Sequence, residues 1–212
     1  VTHMFGYPAK IHEIVEVATR HRIALVEDAS HVHGASVEGQ CLGTFGDISV
    51  FSMHQRKSLS VGDGGVLCTD DAEIFESVRR LRSFGHHELS YNYRMTDFQA
   101  ALGINQILNY KKNLEMRHAL AKRYLSNLSK IKNIKCMPYS KDCSYFIFQV
   151  FCKNRDKILK QLKNLNIGVS VHYSNALPRM SYYKNKYNLN LINYKNSIEY
   201  GTENISLPVY PK

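Results

Sequence analysis

FSMHQRKSLSVGDGG, residues 51–65, is the stretch that decides how the rest of the chain is interpreted. The β-branched and aromatic run that ends at Phe51 is typical of a buried strand, and a polar turn carrying Lys57 follows it. Three glycines and an aspartate then lead into a second predicted strand over 66–69, and glycine there lets the backbone pass close to a bound group. A partly buried lysine in such a turn is suited to act as a nucleophilic amine. The same pattern also fits a surface lysine in an ordinary β-turn.

A third predicted strand lies upstream of these two and ends in a carboxylate. Residues 23–29 are IALVEDA, and four consecutive apolar residues are typical of a strand buried on both faces of a parallel sheet. Asp28 lies at the carboxyl end of this strand, where open α/β sheets bind their ligands. We therefore expect Asp28 and Lys57 to face one crevice. This pair suits pyridoxal phosphate, because the carboxylate keeps the pyridine nitrogen protonated and the lysine holds the aldehyde carbon.

Five ordered blocks resemble the DegT/DnrJ/EryC1/StrS sugar aminotransferases, which are pyridoxal-phosphate enzymes of the aspartate-aminotransferase fold. The blocks are EDASHVHGA (27–35), GTFGD (43–47), FSMHxxKxLxxGDGG (51–65), YNYRM (91–95) and QAALG (99–103). Their order is far more specific than any single block. Weaker similarity extends the resemblance over nearly the whole chain, from Val1 to about Pro211.

The resemblance implies an α/β fold with two domains. It predicts part of a fold-type I pyridoxal-phosphate-dependent transferase, with a mostly parallel sheet and helices on both faces, plus a smaller α+β C-terminal domain. We expect residues 1–128 to be part of the large cofactor-binding domain, ending in a long connecting helix, and residues 129–212 to be an incomplete small domain. Because relatives carry more than this at both ends, we also expect an internal fragment that lacks the N-terminal part and the last helix and that is inactive by itself.

The resemblance also implies a role for each of five residues. Lys57 matches the lysine that forms a Schiff base with the cofactor, and Asp28 matches the partner of the pyridine nitrogen. His31 matches a position near the 3-hydroxyl of the ring, and Ser52 matches the serine that reaches the cofactor phosphate. Asn92 matches a phosphate ligand donated by the neighbouring subunit, which implies a homodimer with shared active sites.

For some of these residues, a purely structural role explains the residue type as well as a role in the site does. His172 and Tyr173 loosely resemble a small-domain segment near the sugar substrate, but core packing explains them as well. His31 also fits a loop histidine, and Asn92 also fits a turn residue. Relatives mostly carry an aromatic residue at the position of Met53, which is a neighbour of the chemistry rather than part of it.

The implied reaction is transfer of an amino group from glutamate or glutamine to a keto group of a nucleotide-linked sugar or keto-cyclitol. One branch of the family replaces the lysine with histidine and dehydrates sugars, and Lys57 argues against that branch. The alternatives left open are a dehydratase of the same family, a non-catalytic relative that binds pyridoxal phosphate as a sensor, and a polyanion-binding module.

Charge and cysteine content argue against nucleic-acid-binding and metal-binding proteins. Residues 1–110 hold 9 basic and 13 acidic residues (net −4), whereas residues 111–212 hold 19 and 5 (net +14). The lysines are spread out and no nucleic-acid-binding motif accompanies them, so we expect neither a nucleic-acid partner nor a membrane. Five scattered cysteines without a CxxC pair predict reduced thiols, no metal site and a cytoplasmic protein.

The remaining pattern predicts the secondary structure. Asp71 or its neighbour should cap a helix that ends near Leu81, and Thr96-Asp97-Phe98-Gln99 is a capping box that should open a helix to about Leu128. Further helices are predicted over 8–21 and 155–166, the latter ending at Gly168, and further strands over 145–152 and 169–173.

Overall fold

The computed structural model describes residues 1–85 and 88–211. These residues form two compact units. The first comprises Val1–His118, Ser140–Phe146 and Pro211, and the second comprises Ala119–Tyr139 and Ile147–Tyr210. Among the described residues, no helix combines the length and apolar character that crossing a bilayer requires.

The first unit is built around a short mixed sheet. Its strands are β1 (Val26–Asp28), β2 (Ser36–Val37), β3 (Gln40–Cys41), β4 (Ile48–Ser52) and β5 (Gly65–Cys68). The sheet order is β1–β4–β5, while β2 and β3 form a separate antiparallel pair. β1 and β4 run parallel with Asp28 opposite Val50, whereas β4 and β5 run antiparallel. The carboxyl end of β1 therefore lies beside β4, two residues before β4 ends.

The first predicted strand is shorter and more exposed than its apolar run suggests. Only Val26–Asp28 is extended and paired, and residues 1–3 border it through a parallel bridge between Thr2 and Asp28. Ile23 is 63% exposed and Val26 is 47% exposed. The expectation of burial on both faces is thus wrong for the described residues, because these cover only about half of Val26 and less of Ile23.

Two of the three helices described in the first unit follow their capping signals. They are α1 (Ile11–His21), α2 (Ala72–Leu81) and α3 (Asp97–Leu128). Asp71 accepts hydrogen bonds from the backbone amides of residues 73 and 74, which confirms the predicted cap of α2. Thr96 Oγ1 accepts from the Gln99 amide at 3.3 Å, and Gln99 Oε1 accepts from the Thr96 amide at 3.0 Å. The predicted capping box and its long helix are therefore confirmed.

The start of α1 differs from the prediction. The helix begins at Ile11 rather than at Pro8. The reason is local, because the Ala9 amide donates instead to His3 Nδ1 at 3.0 Å and Lys10 is not helical.

Two buried apolar clusters lie in the first unit. One consists of Ile11, Ala29, Val32, Ala35 and Leu42. The other consists of Met53, Leu59 and Val61, with Met95 and Tyr110 packed against it. The second cluster comes largely from the turn that carries Lys57, so this turn is anchored by its own apolar residues.

A fully buried carboxylate organises the first unit. Glu27, in β1, is 0% exposed and accepts hydrogen bonds from the amides of Gly43, Phe45 and Gly46 at 2.7–2.9 Å. His3 Nε2 donates to it at 3.0 Å. Burial raises the pKa of the Glu27 carboxyl, but these four donors outweigh burial and hold the pKa below its ordinary value. Glu27 therefore stays ionised in the interior.

The second unit is a small antiparallel sheet with helices. Its elements are the end of α3, β6 (Ile134–Cys136), β7 (Phe148–Cys152), α4 (Arg155–Asn164), α5 (Ser181–Lys186), α6 (Lys195–Glu203) and β8 (Asn204–Leu207). The sheet order is β6–β7–β8. The strand over residues 145–152 begins only at Phe148.

Two predictions for the second unit are wrong. Residues 169–173 are not a strand, since a single bridge joins Ser170 to Ser206. The pairing stops there because the His172 amide donates to the side chain of Asn204 rather than to a backbone carbonyl. α4 ends at Asn164 with Leu165 as its C-cap, so Gly168 does not terminate it.

We expect Glu27→Gln to lower the free energy of unfolding by about 2–4 kcal/mol at pH 7, because the amide NH2 opposes backbone donors and the buried charge is lost. The folded-state pKa is lowered, so this stability is complete above the unfolded pKa of about 4.3 and is lost as the pH falls through the folded value. Urea unfolding of both proteins at several pH values measures the difference.

The matched control is Glu16→Gln, on the exposed face of α1, where Glu16 pairs with Arg20. An exposed pair of this kind contributes about 0–1 kcal/mol. Equal effects of the two substitutions would contradict the role given to Glu27.

Candidate active site

The Lys57 turn is closed by backbone hydrogen bonds. The Lys57 amide donates to His54 O at 2.8 Å, and the amides of Met53 and Val61 donate to Gly64 O and Met53 O. A Cβ on Gly64 would lie 2.8 Å from Val61 Cγ2. The packing of the turn on itself therefore leaves no room for a side chain at this position. The approach of the backbone to a ligand stays a prediction.

Asp28 is held at the end of β1. Its amide donates to Val1 O at 2.7 Å, and its Oδ1 accepts from the Ser30 amide at 3.1 Å. Burial raises the pKa of Asp28, but hydrogen bonds from Ser30 and the electrostatic influence of His31 and Lys57 outweigh burial. The pKa of this carboxyl is therefore lowered, and Asp28 is ionised at neutral pH.

Lys57 lies close enough to Asp28 for their charges to interact. Burial lowers the pKa of the Lys57 amine, and the Asp28 carboxylate partly opposes this effect. The structure thus brings the predicted carboxylate and the predicted amine together. An amine with a lowered pKa is more readily deprotonated, which is what a nucleophile or a proton carrier requires.

His31 is buried and stacked. Its ring lies 4.2 Å from the ring of Phe146 at an interplanar angle of 13°, and 5.9 Å from the ring of Phe5 at 16°. The Phe5 amide donates to His31 Nδ1 at 3.3 Å. In the neutral imidazole this places the proton on Nε2, so Nε2 is a donor.

Ser52 is the last residue of β4 and is half-buried. Its Oγ accepts a hydrogen bond from the His54 amide at 3.3 Å. Because the oxygen accepts in this contact, the hydroxyl hydrogen is left to donate to another group.

Asn92 is not among the described residues that contact Lys57 or Asp28. It is exposed on the loop that follows α2, where an antiparallel bridge pairs it with Ser83. Within the described residues, none of the contacts of Lys57 or Asp28 involves Asn92.

His172 and Tyr173 belong to the second unit, in a polar network. His172 Nδ1 lies 2.9 Å from Ser206 Oγ, and His172 O accepts from Gln149 Nε2 at 2.8 Å. Asn204 Oδ1 accepts from the His172 amide at 3.0 Å. Both backbone and side chain of His172 are therefore fixed within this unit, while Tyr173 is half exposed.

Sequence reasoning missed several residues around Lys57. Phe146 lies under the amine, with Lys57 Nζ 5.1 Å from its ring centroid. His33 is buried, and burial together with the charge of Lys57 lowers its pKa to about 4, so it is neutral at pH 7. Tyr110, on α3, donates to His33 O at 2.8 Å. Only His33 had a signal, since it stands in the first resembling block.

Arg117 was also missed. It is buried on α3, and its Nη1 donates to Tyr145 O at 3.0 Å and to Phe146 O at 3.4 Å. No sequence pattern links a helix position to carbonyls 28 and 29 residues later. Arg117 therefore holds the segment that carries Phe146.

Comparison with known proteins places the chain in a family. The model of the DegT/DnrJ/EryC1/StrS aminotransferase family matches residues 1–212. The chain belongs to this family. The resemblance carried by the five sequence blocks is thereby confirmed.

Relatives of this aminotransferase-family chain are longer than it is. It is 30% identical over 222 residues to the UDP-4-amino-4,6-dideoxy-N-acetyl-beta-L-altrosamine transaminase of Campylobacter jejuni serotype O:23/36, covering 97% of this chain and 58% of the relative. It is 32% identical over 180 residues to the dTDP-3-amino-3,4,6-trideoxy-alpha-D-glucose transaminase of Streptomyces venezuelae, covering 81% of this chain and 48% of the relative.

A solved structure supports the same fold. The crystal structure of S. venezuelae DesV in complex with ketimine intermediate matches with a TM-score of 0.91 at 28% identity, covering 99% of this chain and 59% of that chain. The predicted α/β transferase fold is confirmed.

We expect Arg117→Met to loosen the segment that ends at Phe146, because two carbonyls lose a charged donor at a cost of about 2 kcal/mol. The Ser144 amide, which donates to Gly6 O at 2.9 Å, should exchange with deuterium faster. Hydrogen-exchange mass spectrometry of residues 140–146 measures this. Arg123→Met, at an exposed position of α3, is the control. Equal exchange in both variants would count against the role of Arg117.

Proposed function

We propose that the protein is a pyridoxal-phosphate-dependent aminotransferase acting on a keto group of a nucleotide-linked sugar or keto-cyclitol, with glutamate or glutamine as the amino donor. The observation that carries the proposal is the coupling of a half-buried amine, Lys57, to the ionised carboxylate of Asp28. Family membership supports the reaction class. The two relatives named above are transaminases of UDP-linked and dTDP-linked amino sugars, which supports a nucleotide-linked sugar.

The donor set fits pyridoxal phosphate. Asp28 would accept a hydrogen bond from the protonated pyridine nitrogen, His31 would donate from Nε2 to the ring hydroxyl, and Ser52 would donate to the phosphate. Lys57 would hold the aldehyde carbon. When bound, the cofactor supplies an electron sink for the carbanion that forms at the substrate carbon.

The charges of the chain's own residues suit these roles. Asp28 stays ionised because hydrogen bonds from Ser30 and the electrostatic influence of His31 and Lys57 outweigh its burial, so it can keep a basic nitrogen protonated. Lys57 has a lowered pKa, so its amine gives up a proton more readily than an ordinary lysine does. His33 is neutral and does not compete for the Asp28 carboxylate.

We further propose the domain and subunit arrangement that the family resemblance implies. Residues 1–128 belong to the large domain and residues 129–212 to the small one, with His172 and Tyr173 near the sugar. A homodimer is supported by the exposed apolar side chains around Asn92 and at the start of α3, among them Leu89 at 86% and Phe98 at 75% exposure. Large apolar patches on a protein surface mark interaction sites, which is why these exposed side chains support a subunit interface.

The proposal predicts a covalent cofactor site. Borohydride reduction of the full-length protein loaded with pyridoxal phosphate should leave a phosphopyridoxyl group on Lys57, because its amine has a lowered pKa and interacts electrostatically with Asp28. Mass spectrometry of proteolytic peptides locates the group. Lys57→Ala should lose it, whereas Lys10→Ala, at an exposed lysine before α1, should keep it. Persistence of the group on another lysine in Lys57→Ala would refute the assignment.

Turnover tests the reaction itself. The full-length protein, loaded with the cofactor, should release 2-oxoglutarate from glutamate, and its Lys57→Ala variant should not. Binding of the cofactor without release of the keto acid from either donor would instead favour a non-catalytic relative.

The subunit proposal predicts complementation between two inactive chains. If Asn92 serves the partner's site, mixing Lys57→Ala with Asn92→Ala chains should restore up to about a quarter of the wild-type sites, because each heterodimer has one intact site. A chain with both substitutions, mixed with Lys57→Ala, should restore none. Heterodimers seen by native mass spectrometry without recovered activity would show that each site uses one chain.

A further inference from the structure

We propose that Phe146 is a positioning residue, whose aromatic ring fixes the plane of the His31 imidazole and provides a π face for the Lys57 ammonium. The ring lies 4.2 Å from His31 and nearly parallel to it, and its centroid lies 5.1 Å from Lys57 Nζ. One side chain thus touches two residues of the candidate site. Its importance for turnover rests on the proposed function, but its effect on the amine does not.

The backbone of Phe146 is held from α3. Arg117 Nη1 donates to the carbonyls of Tyr145 and Phe146, and the guanidinium is itself buried. Tyr145 is fully buried and its hydroxyl accepts from the Ser140 amide at 3.0 Å. The ring is therefore placed by a rigid segment rather than by a free loop.

The same segment is tied to the loop that carries His31. Ser144 Oγ donates to His31 O at 2.6 Å, and the Ser144 amide donates to Gly6 O. Gly6 has a φ of +104°, and a Cβ there would lie 2.9 Å from the Phe146 nitrogen. This close approach requires glycine. The distance between Phe146 and His31 is therefore set by direct contacts between their two segments.

The stack leaves His31 one orientation. The Phe5 amide donates to Nδ1, and the Phe5 and Phe146 rings both lie nearly parallel to the imidazole. A rotation of the imidazole out of this plane would break the hydrogen bond and the stacking together. Phe146 thereby keeps the Nε2 donor directed.

The ring also acts on the amine. The titratable groups around Lys57 are Asp28, which opposes the effect of burial on the amine, and the imidazoles of His31 and His33. Phe146 adds an apolar wall that carries a negative π face, which attracts an ammonium. An aliphatic side chain of similar size would exclude water as well but would not attract the charge. The aromatic ring should therefore offset part of the burial effect.

The test is the pH dependence of acetylation of Lys57 in cofactor-free protein, measured by mass spectrometry with Lys10 as the internal standard. Phe146→Leu should shift the midpoint for Lys57 down by about 0.5–1 pH unit, the size expected for a partly buried cation–π contact. Phe146→Tyr keeps the π face and should leave the midpoint unchanged. The labelling of Lys10 should be the same in all three proteins.

A second variant keeps the test decisive if Phe146→Leu does not fold. Pentafluorophenylalanine at position 146 keeps the shape of the ring but reverses its quadrupole, so it should lower the midpoint as leucine does. An unchanged midpoint in this protein would overturn the π-face role. Long-range 1H–15N spectra should also show one His31 tautomer, with the proton on Nε2, in wild type and Phe146→Tyr, and a mixture in Phe146→Leu.

The two proposals fail in different ways. If borohydride leaves no cofactor on Lys57 but the midpoint shifts as expected, the ring tunes the amine and the aminotransferase proposal is wrong. If the cofactor binds Lys57 and neither Phe146→Leu nor pentafluorophenylalanine changes the midpoint, the aminotransferase proposal stands and the inference about Phe146 is wrong.

Discussion

The ionised and fully buried carboxylate of Glu27 is the constraint on which the first unit depends. A buried charge is tolerated only when its hydrogen-bonding capacity is filled, and Glu27 accepts from three loop amides and from His3. These donors tie the residues before α1 and the loop before β4 to β1. Since neighbouring residues of a strand point to opposite faces, Asp28 is then directed away from this network.

The candidate site follows from that anchoring. Asp28 pairs in register with Val50, so the strand that ends at Ser52 delivers the Lys57 turn beside the carboxylate. The turn is stabilised by packing of its own side chains Met53, Leu59 and Val61, which are all buried. The site is completed by a segment far along the chain, because Arg117 and Ser144 fix the position of Phe146. Charge, backbone register and a buried arginine together place the reactive groups.

Particular residues show how far sequence reasoning reaches. The caps at Asp71 and Thr96 were predictable, because capping is a local interaction within four residues. An interaction between Asp28 and Lys57 was expected from strand ends and the five sequence blocks, and the charges of the two groups do interact. The extent of β1 and the irregular backbone at 169–173 were not, because they depend on what covers Ile23 and on the Asn204 side chain.

The sequence by itself determined the family, the α/β class and the chemical identity of the amine and the carboxylate, since these lie in ordered blocks with local signals. Only the tertiary structure decided the surroundings that set their charges. Three features depend on contacts between residues from 16 to more than 100 positions apart. They are the buried charge of Glu27, the hydrogen bonds by which Arg117 holds the Phe146 segment, and the contacts of the Phe146 ring with His31 and Lys57. Such contacts leave no periodicity or spacing in the sequence, because chain folding alone brings the partners together.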